Sequence, residues 1–425
     1  MSPVRRADLK GRVVALLGLG VDMSATLDAI VESEPGQLVA VDVDRERARR
    51  LLAEAGLGEV PVFEAVDGLP PADVAVRSPG FPLYSAALQD RVGRGMETVT
   101  PLGLWLAERG DRPTVALTGT KGKSTVSVLT TLALEHLGQS AVTVGNIGIG
   151  PWTLPPSSAE TVVIEVSSYQ AADLGCTPSI AALTSIGEDH LDWHGSVDRY
   201  HHDKARVFSA PGLGGRRWAG VLDDVALPPA FAAVDFCRVP VPGGGLRARN
   251  AHLAAATALA VWDETVDPVR VESVADALLA AYPELPGRFR LVATVDSVRY
   301  IDDALASNPL GLAASLGELG PEPLTVIVGG ATRGADLEPV LVALAGRPGP
   351  TNVVCIDDAV PLEGQFVLLG ARTYRSADLE AAVRTAAEIT PAGGVVLFSP
   401  AMPTPPAEGN WSRRSARYQA EVERL

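Results

Sequence analysis

An apolar run, Pro113–Leu117, leads into residues 118–125, which read Thr-Gly-Thr-Lys-Gly-Lys-Ser-Thr. That succession predicts a buried strand, a glycine-rich turn and a helix beginning near Lys123. A turn of this kind points consecutive backbone N–H groups at one spot, and the helix N-terminus adds partial positive charge there. Gly119, Thr120, Lys121 and Gly122 form the candidate cradle. Lys123 supplies a full cation, and Ser124 or Thr125 a hydroxyl for Mg2+. The guest implied is a nucleoside triphosphate. The turn is tighter than the commonest phosphate loop, Gly-x-x-x-x-Gly-Lys-Ser/Thr, because Gly119 precedes Lys123 by four positions. An ordinary glycine-rich turn is the plain alternative, and Gly-Lys-Ser-Thr at a strand–helix junction argues against it.

At 425 residues the chain is too long for one ordinary domain, so two or three are expected. Few aromatics amid plentiful Ala, Val, Leu and Gly suit parallel α/β sheets. The net charge of -15 argues against nucleic acid as the main partner but leaves room for a locally positive site. Three scattered cysteines, Cys176, Cys237 and Cys355, suit a reducing compartment and no disulfide framework. Arg5, Arg6 and Lys10 precede an apolar stretch, but that stretch is short and meets Gly18-Leu19-Gly20 and Asp22. It reads as a buried strand rather than a signal peptide. No stretch is long enough to span a membrane, and a cytoplasmic protein is the expectation.

The expected class is α/β in three parts. Residues 1–97 begin a Rossmann-like unit: strand 12–17, Gly18-Leu19-Gly20, a helix over 24–32, strand 38–43 with Asp42 near its end, and a helix over 45–55. Position 23 is Met, so the dinucleotide fingerprint is incomplete and a dehydrogenase is disfavoured; a nucleotide diphosphate at the first turn stays open. Strand 74–76 runs into Arg77-Ser78-Pro79-Gly80, a rigid turn where α/β sheets bind ligands. Residues 98–286 hold the phosphate loop, with a helix over 123–137. Its strands are expected at 141–144, 161–166 and 181–185. A further amphipathic stretch is expected at 196–208 and an alanine-rich helix at 250–262; residues 211–245 resist reading. Residues 287–425 are again α/β, with strands at 299–301, 324–328, 353–356 and 395–398 and helices over 337–345 and 378–388. Polar turns follow those strands.

Glu165 and His190 follow strand ends in the same part as the phosphate loop. They are candidate ligands for a divalent ion, one through oxygen and one through imidazole nitrogen. Taken singly, Glu165 suits a salt bridge and His190 a structural hydrogen bond. Their placement on successive strand ends favours function. Lys204 taken alone is a surface lysine on a helix.

With these residues in view the chain resembles the Mur ligases, the ATP-dependent enzymes that build the peptide stem of bacterial peptidoglycan. The matching residues are Thr118–Thr125, Gly145-Asn146-Ile147-Gly148, Glu165–Gln170, Glu188-Asp189-His190, and Tyr200 ahead of Lys204. The match continues through Leu285–Arg288, Asp302–Asn308, Gly329–Asp336 and Ser399-Pro400-Ala401. The resemblance covers nearly the whole length, and it implies a Rossmann-like N-terminal domain, a central P-loop ATP-binding domain and a C-terminal Rossmann-like domain that binds glutamate. Within the family the chain is most similar to the MurD-like branch, which adds glutamate to UDP-N-acetylmuramoyl-L-alanine.

The resemblance implies roles for individual residues. Lys123 and Ser124 would hold the ATP phosphates and a first Mg2+. Glu165, His190 and a carbamylated Lys204 would hold a second. Asn250, Arg288 and Asp303 would contact or position ATP. Gly18, Gly20, Asp42, Ser78, Pro79 and Gly80 would bind the UDP moiety, and Asn146 the acceptor or the phosphoryl group. Ser307, Arg333 and Thr404 fall where the family binds glutamate. The acceptor carboxylate would attack the ATP γ-phosphate, and glutamate's amine the resulting acyl phosphate. A monomer is implied.

Several positions depart from the family pattern. Lys121 stands where Asn is usual, Arg249 precedes Asn250, Leu305 replaces a frequent Lys, and Arg333 replaces Lys. The C-terminal turn Ser399–Pro405 carries Pro403 and Pro405, which remove backbone donors. Together with Lys121 and the run 189–195, these departures are similar to a subgroup that attaches L-glutamate. Addition of D-glutamate and a non-catalytic nucleotide-binding paralogue are the alternatives.

Overall fold

The computed structural model describes residues 3–109, 112–145, 150–154, 161–178, 180–209, 218–241, 243, 245–262, 266–281, 287–306, 309–331, 337–368, 370–402, 404–405, 408 and 411–425. The chain divides into two compact units, Met1–Ala281 and Tyr282–Leu425. The first unit contains two sheets and the second contains one.

The first sheet is built from β1 (Val13–Leu17), β2 (Gln37–Val41), β3 (Val62–Phe63), β4 (Val74–Arg77) and β5 (Glu97–Val99), in the order β3-β2-β1-β4-β5. Every pairing is parallel. Apolar side chains fill both faces, with Leu16, Val74 and Val76 on one side and Ala15, Leu17 and Ala75 on the other. Such two-sided burial explains the near-continuous apolar runs in the sequence. The strand order reverses between β1 and β4, so the turns after those two strands flank a switch-point crevice. β5 carries this sheet past residue 97, the boundary expected from the sequence.

The second sheet contains β6 (Thr114–Thr118), β7 (Ala141–Gly145), β8 (Thr161–Glu165), β9 (Ile180–Leu183), β10 (Trp218–Leu222) and β11 (Cys237–Val239). Their order is β11-β10-β9-β6-β8-β7, again all parallel. β6 sits between β8 and β9 at the reversal of order, so the phosphate loop leaves the sheet at its switch point. The helix Lys123–His136 follows, and the alanine-rich helix Gly245–Leu259 packs against it. Ala251, Ala254, Ala255 and Ala258 are fully buried in that second helix, whose small side chains allow close approach.

The second unit contains β12 (Arg290–Val295), β13 (Val298–Asp302), β14 (Leu324–Val328), β15 (Thr351–Cys355), β16 (Arg372–Arg375) and β17 (Val395–Phe398), in the order β12-β13-β17-β14-β15-β16. Only β12 is antiparallel, paired with β13 at the sheet's edge. Among the described residues no helix is long and apolar enough to cross a membrane.

Within the first unit the two sheets are tied by a buried ion pair. Arg77, at the end of β4, is fully buried and donates to both carboxylate oxygens of Asp173, at 3.0 and 2.9 Å. Its remaining donors reach the carbonyls of Ser78, Pro79, Phe81 and Tyr169. A charge this buried is tolerable only when all its hydrogens are engaged. Asp173→Ala leaves the guanidinium uncompensated, and urea denaturation should show a loss of about 3–5 kcal/mol.

Candidate functional site

The phosphate loop is held open by the end of its neighbouring strand. Thr120 N–H donates to the Ser185 carbonyl at 2.9 Å, and Lys121 N–H to Ser185 Oγ at 2.8 Å. Thr184 Oγ1 donates to the carbonyls of Thr118 and Lys121, and Thr120 Oγ1 accepts from Gly187 N–H at 2.9 Å. Gly119 has φ +151°, and a Cβ there would come within 2.2 Å of Thr184 Oγ1 and 2.8 Å of the Ser185 carbonyl oxygen. Gly122 is the left-handed N-cap of the helix Lys123–His136, with φ +83° and no tight contact. The two glycines are therefore required for different reasons, space at Gly119 and backbone freedom at Gly122. Asn250 adjoins the loop, its Oδ1 lying 3.4 Å from where a Gly122 Cβ would be.

Charge converges on this loop. Lys123 Nζ donates to the carbonyls of Gly119 and Thr120 at 2.9 and 3.1 Å. Lys204 Nζ donates to the same Gly119 carbonyl at 2.8 Å. Lys204 is 1% exposed, so the surface-lysine alternative does not apply. Burial, and then the Lys123 ammonium, hold its pKa well below the usual lysine range. Lys121 pairs with Asp189 at 3.4 Å. His190 is half-exposed and has φ +53°, a left-handed backbone uncommon for histidine. Partial desolvation pushes its pKa down to about 4; Asp189 opposes the shift and Lys123, Lys204 and Lys121 reinforce it. Glu165, at the end of β8, is 2% exposed and lies within electrostatic reach of Lys204. Among the described residues no group of three or more His, Cys, Asp or Glu side chains is placed to hold a metal ion.

The expected substrate turns lie at the first sheet's switch point. Ser78 Oγ donates to the Gly18 carbonyl at 2.7 Å and accepts from Gly20 N–H at 3.3 Å, closing the β1 turn onto the β4 turn. Asp42 accepts from Leu19 N–H, Asp44 N–H and Arg47, so its carboxylate shapes the turn from within. The Pro79 carbonyl accepts from Arg77 and the Gly80 carbonyl from Trp193 Nε1.

In the second unit Asp303 is 3% exposed. It accepts from Ser315 Oγ at 2.6 Å, Ser399 Oγ at 2.8 Å and Phe289 N–H at 3.2 Å. Burial pushes its carboxyl up to about 6, with Ser315, Arg288, Ser399 and the Phe289 amide pulling the other way. These contacts join the β13 and β17 turns. Arg288 and Thr404 are part-buried on the segments flanking them. Asn146, Ser307 and Arg333 lie outside the described residues.

Sequence reading missed the polar groups that support the site. Thr184 and Ser185 occupied an expected strand end without an assigned role. Tyr200, whose hydroxyl lies 2.9 Å from Thr120 Oγ1, was visible only as a motif residue. His194, Asp203, Ser168 and Tyr84 form a buried chain of hydrogen bonds that only three-dimensional proximity reveals.

Gly119→Ala should lower nucleotide affinity by at least roughly tenfold, because the loop must leave Ser185 to admit a Cβ. Gly122→Ala should cost about 1 kcal/mol of stability with affinity largely kept. Nucleotide titration and urea denaturation of both variants check this contrast.

Two family models match the chain: the Mur ligase middle domain over residues 117–226, and the Mur ligase glutamate ligase domain over residues 287–402. A UDP-N-acetylmuramoyl-L-alanine–L-glutamate ligase from a Micromonospora species is 34% identical, over 99% of this chain and 98% of its own. A UDP-N-acetylmuramoylalanine–D-glutamate ligase from Rubrobacter xylanophilus is 32% identical, over 92% and 93%. The solved UDP-N-acetylmuramate-alanine ligase of Thermotoga maritima superposes with a TM-score of 0.55 at 18% identity, covering 97% of this chain and 99% of that one, and so shares the fold. The chain therefore belongs to the Mur ligase family of ATP-dependent, amide-bond-forming ligases.

Proposed function

We propose that this ligase joins L-glutamate to UDP-N-acetylmuramoyl-L-alanine in peptidoglycan precursor synthesis, through an acyl phosphate. The observation that carries the reading is the phosphate loop whose Gly119 carbonyl receives both Lys123 and Lys204, with Glu165 and His190 close by. The names of full-length relatives supply the substrate class. Residues 1–97 bind the UDP moiety between the Gly18–Gly20 and Ser78–Gly80 turns. Residues 98–286 bind ATP, with Asn250 beside the loop; in residues 287–425, Arg288 and Asp303 are assigned to ATP and Ser307, Arg333 and Thr404 to glutamate. The enzyme acts as a cytoplasmic monomer.

The reaction needs an activated carboxylate, since a free carboxylate is a poor acyl donor. The acceptor's terminal carboxylate attacks the ATP γ-phosphate, ADP leaves, and the glutamate amine displaces phosphate to form the amide. Lys123 and the loop amides hold the transferring phosphoryl group as charge shifts. Lys204 completes the site in an unusual way. Burial and the neighbouring Lys123 charge lower its pKa and so favour the neutral amine, and a neutral amine adds to CO2 with loss of a proton. The resulting carbamate would give Glu165 and the neutral His190 imidazole a third ligand, anionic like Glu165, where the described residues hold no group of three unmodified ligands. Glu165, His190 and a carbamylated Lys204 would hold one Mg2+, and Ser124 a second. Bound there, Mg2+ would neutralise charge on the transferring group.

The L enantiomer is favoured by Lys121 and by the Met402–Pro405 turn, changes that fall at the ATP loop and where the amino acid sits. The Rubrobacter relative keeps D-glutamate as a second reading. Phosphate release by purified protein with ATP, Mg2+, UDP-N-acetylmuramoyl-L-alanine and each enantiomer separates the two. Turnover with L-glutamate is expected. Turnover with D-glutamate alone sinks the L assignment, and turnover with neither sinks the ligase reading on this substrate.

A further inference from the structure

We infer that His194 is a positioning residue for this ligase reaction, holding in one arrangement the three segments that carry Glu165, His190 and Lys204. The inference rests on the functional reading above.

His194 ends the short helix Leu191–His194, which begins immediately after His190. Its ring is fully buried. Nδ1 lies 2.6 Å from Asp203 Oδ2, and Asp203 directly precedes Lys204 on the helix Val197–Ser209. Nε2 lies 3.0 Å from Ser168 Oγ, three residues beyond Glu165. With a carboxylate accepting at one side, Nδ1 carries the proton and Nε2 accepts from the serine hydroxyl. One imidazole thus bridges the β8, β9 and Lys204 segments. Asp203 Oδ1 also accepts from Tyr84 OH at 2.6 Å, which extends the chain to the first-sheet part of the same unit.

The ring is caged. Tyr169 stacks on it at 5.7 Å with the planes 4° apart, and Trp193 and Tyr200 meet it edge-on at 4.6 and 5.2 Å. Arg199 donates to the His194 carbonyl at 3.1 Å, fixing the backbone as well. Burying three polar side chains here carries a desolvation cost that apolar packing would avoid. What the network adds is directionality: each bond sets an angle as well as a distance. Since both nitrogens are engaged and the ring is enclosed, His194 neither touches substrate nor takes its proton. Its effect passes through Asp203 to the register of Lys204 against Gly119, and through the chain itself to His190.

Variants that keep one bond at a time test this. His194→Asn places an amide where Nδ1 was and retains the Asp203 bond; His194→Gln reaches the Ser168 side; His194→Phe keeps the volume and neither bond. For His194→Phe, kcat should fall by roughly 10- to 100-fold, with partial recovery in Asn or Gln. The KM for ATP should stay within about twofold, and activity is normalised to the folded fraction measured by thermal melting. A kcat within about twofold of wild type in all three overturns the inference. Should wild type itself turn over neither glutamate, the functional reading fails, and the positional claim is decided by 15N-histidine NMR. Asp203→Asn and Ser168→Ala must each shift the His190 ring resonances; unchanged His190 resonances in both overturn it.

Discussion

Two lysine side chains share the carbonyl oxygen of Gly119, and the rest of the site is arranged around that sharing. Both nitrogens lie within hydrogen-bond distance of one atom, so two full charges would stand within ~6 Å and repel by about 3 kcal/mol at a protein-like dielectric. The structure has two ways to relieve this. Burial and the Lys123 charge lower the pKa of the fully enclosed Lys204, while Lys123 stands at the helix start, where a phosphate would arrive. Lys121 is drawn aside by Asp189. A locally positive loop is thereby maintained in a protein of strongly negative net charge.

The loop is only as good as the strand ends that frame it. Thr184 and Ser185 bond to the backbone of Thr118, Thr120 and Lys121, which is why a Cβ at Gly119 has nowhere to go. Similar construction recurs in the other two sheets. In the first sheet Ser78 closes the β1 turn, and in the second unit Asp303 joins the turns after β13 and β17 through Ser315 and Ser399. In every case a short polar side chain on one strand end satisfies the backbone or side chain of another. Parallel sheets place these ends together, and polar bonds then give them shape.

Much of the architecture was legible because parallel strands buried on both faces leave continuous apolar runs. β14 and β17 coincide with the expected 324–328 and 395–398, and the phosphate loop with its helix stands where the sequence placed it. Elements without such a signature escaped. β10 and β11 lie in a Gly- and Pro-rich stretch, β3 is two residues long, and the expected helix 24–32 is broken into Val21–Ser24 and Leu27–Val31. The helix Trp411–Val422 was hidden because it turns Arg414 and Ser415 inward alongside Tyr418 and Val422, so polar residues occupy a buried stripe. At the site, residues next to a motif were readable; those joined only through space, such as His194 with Ser168 and Asp203, were not. Lys204 is the sharpest case, since neither its helix nor its charge announces full burial.

The fate of the Lys204 amine is where the account is most exposed to test. Protein equilibrated with 13C-bicarbonate and observed by 13C NMR should show one carbamate carbon that disappears in Lys204→Ala and survives in Lys121→Ala. Absence of that resonance in the folded wild type, or its persistence in Lys204→Ala, would contradict the claim that burial beside Lys123 converts this lysine into an anionic ligand.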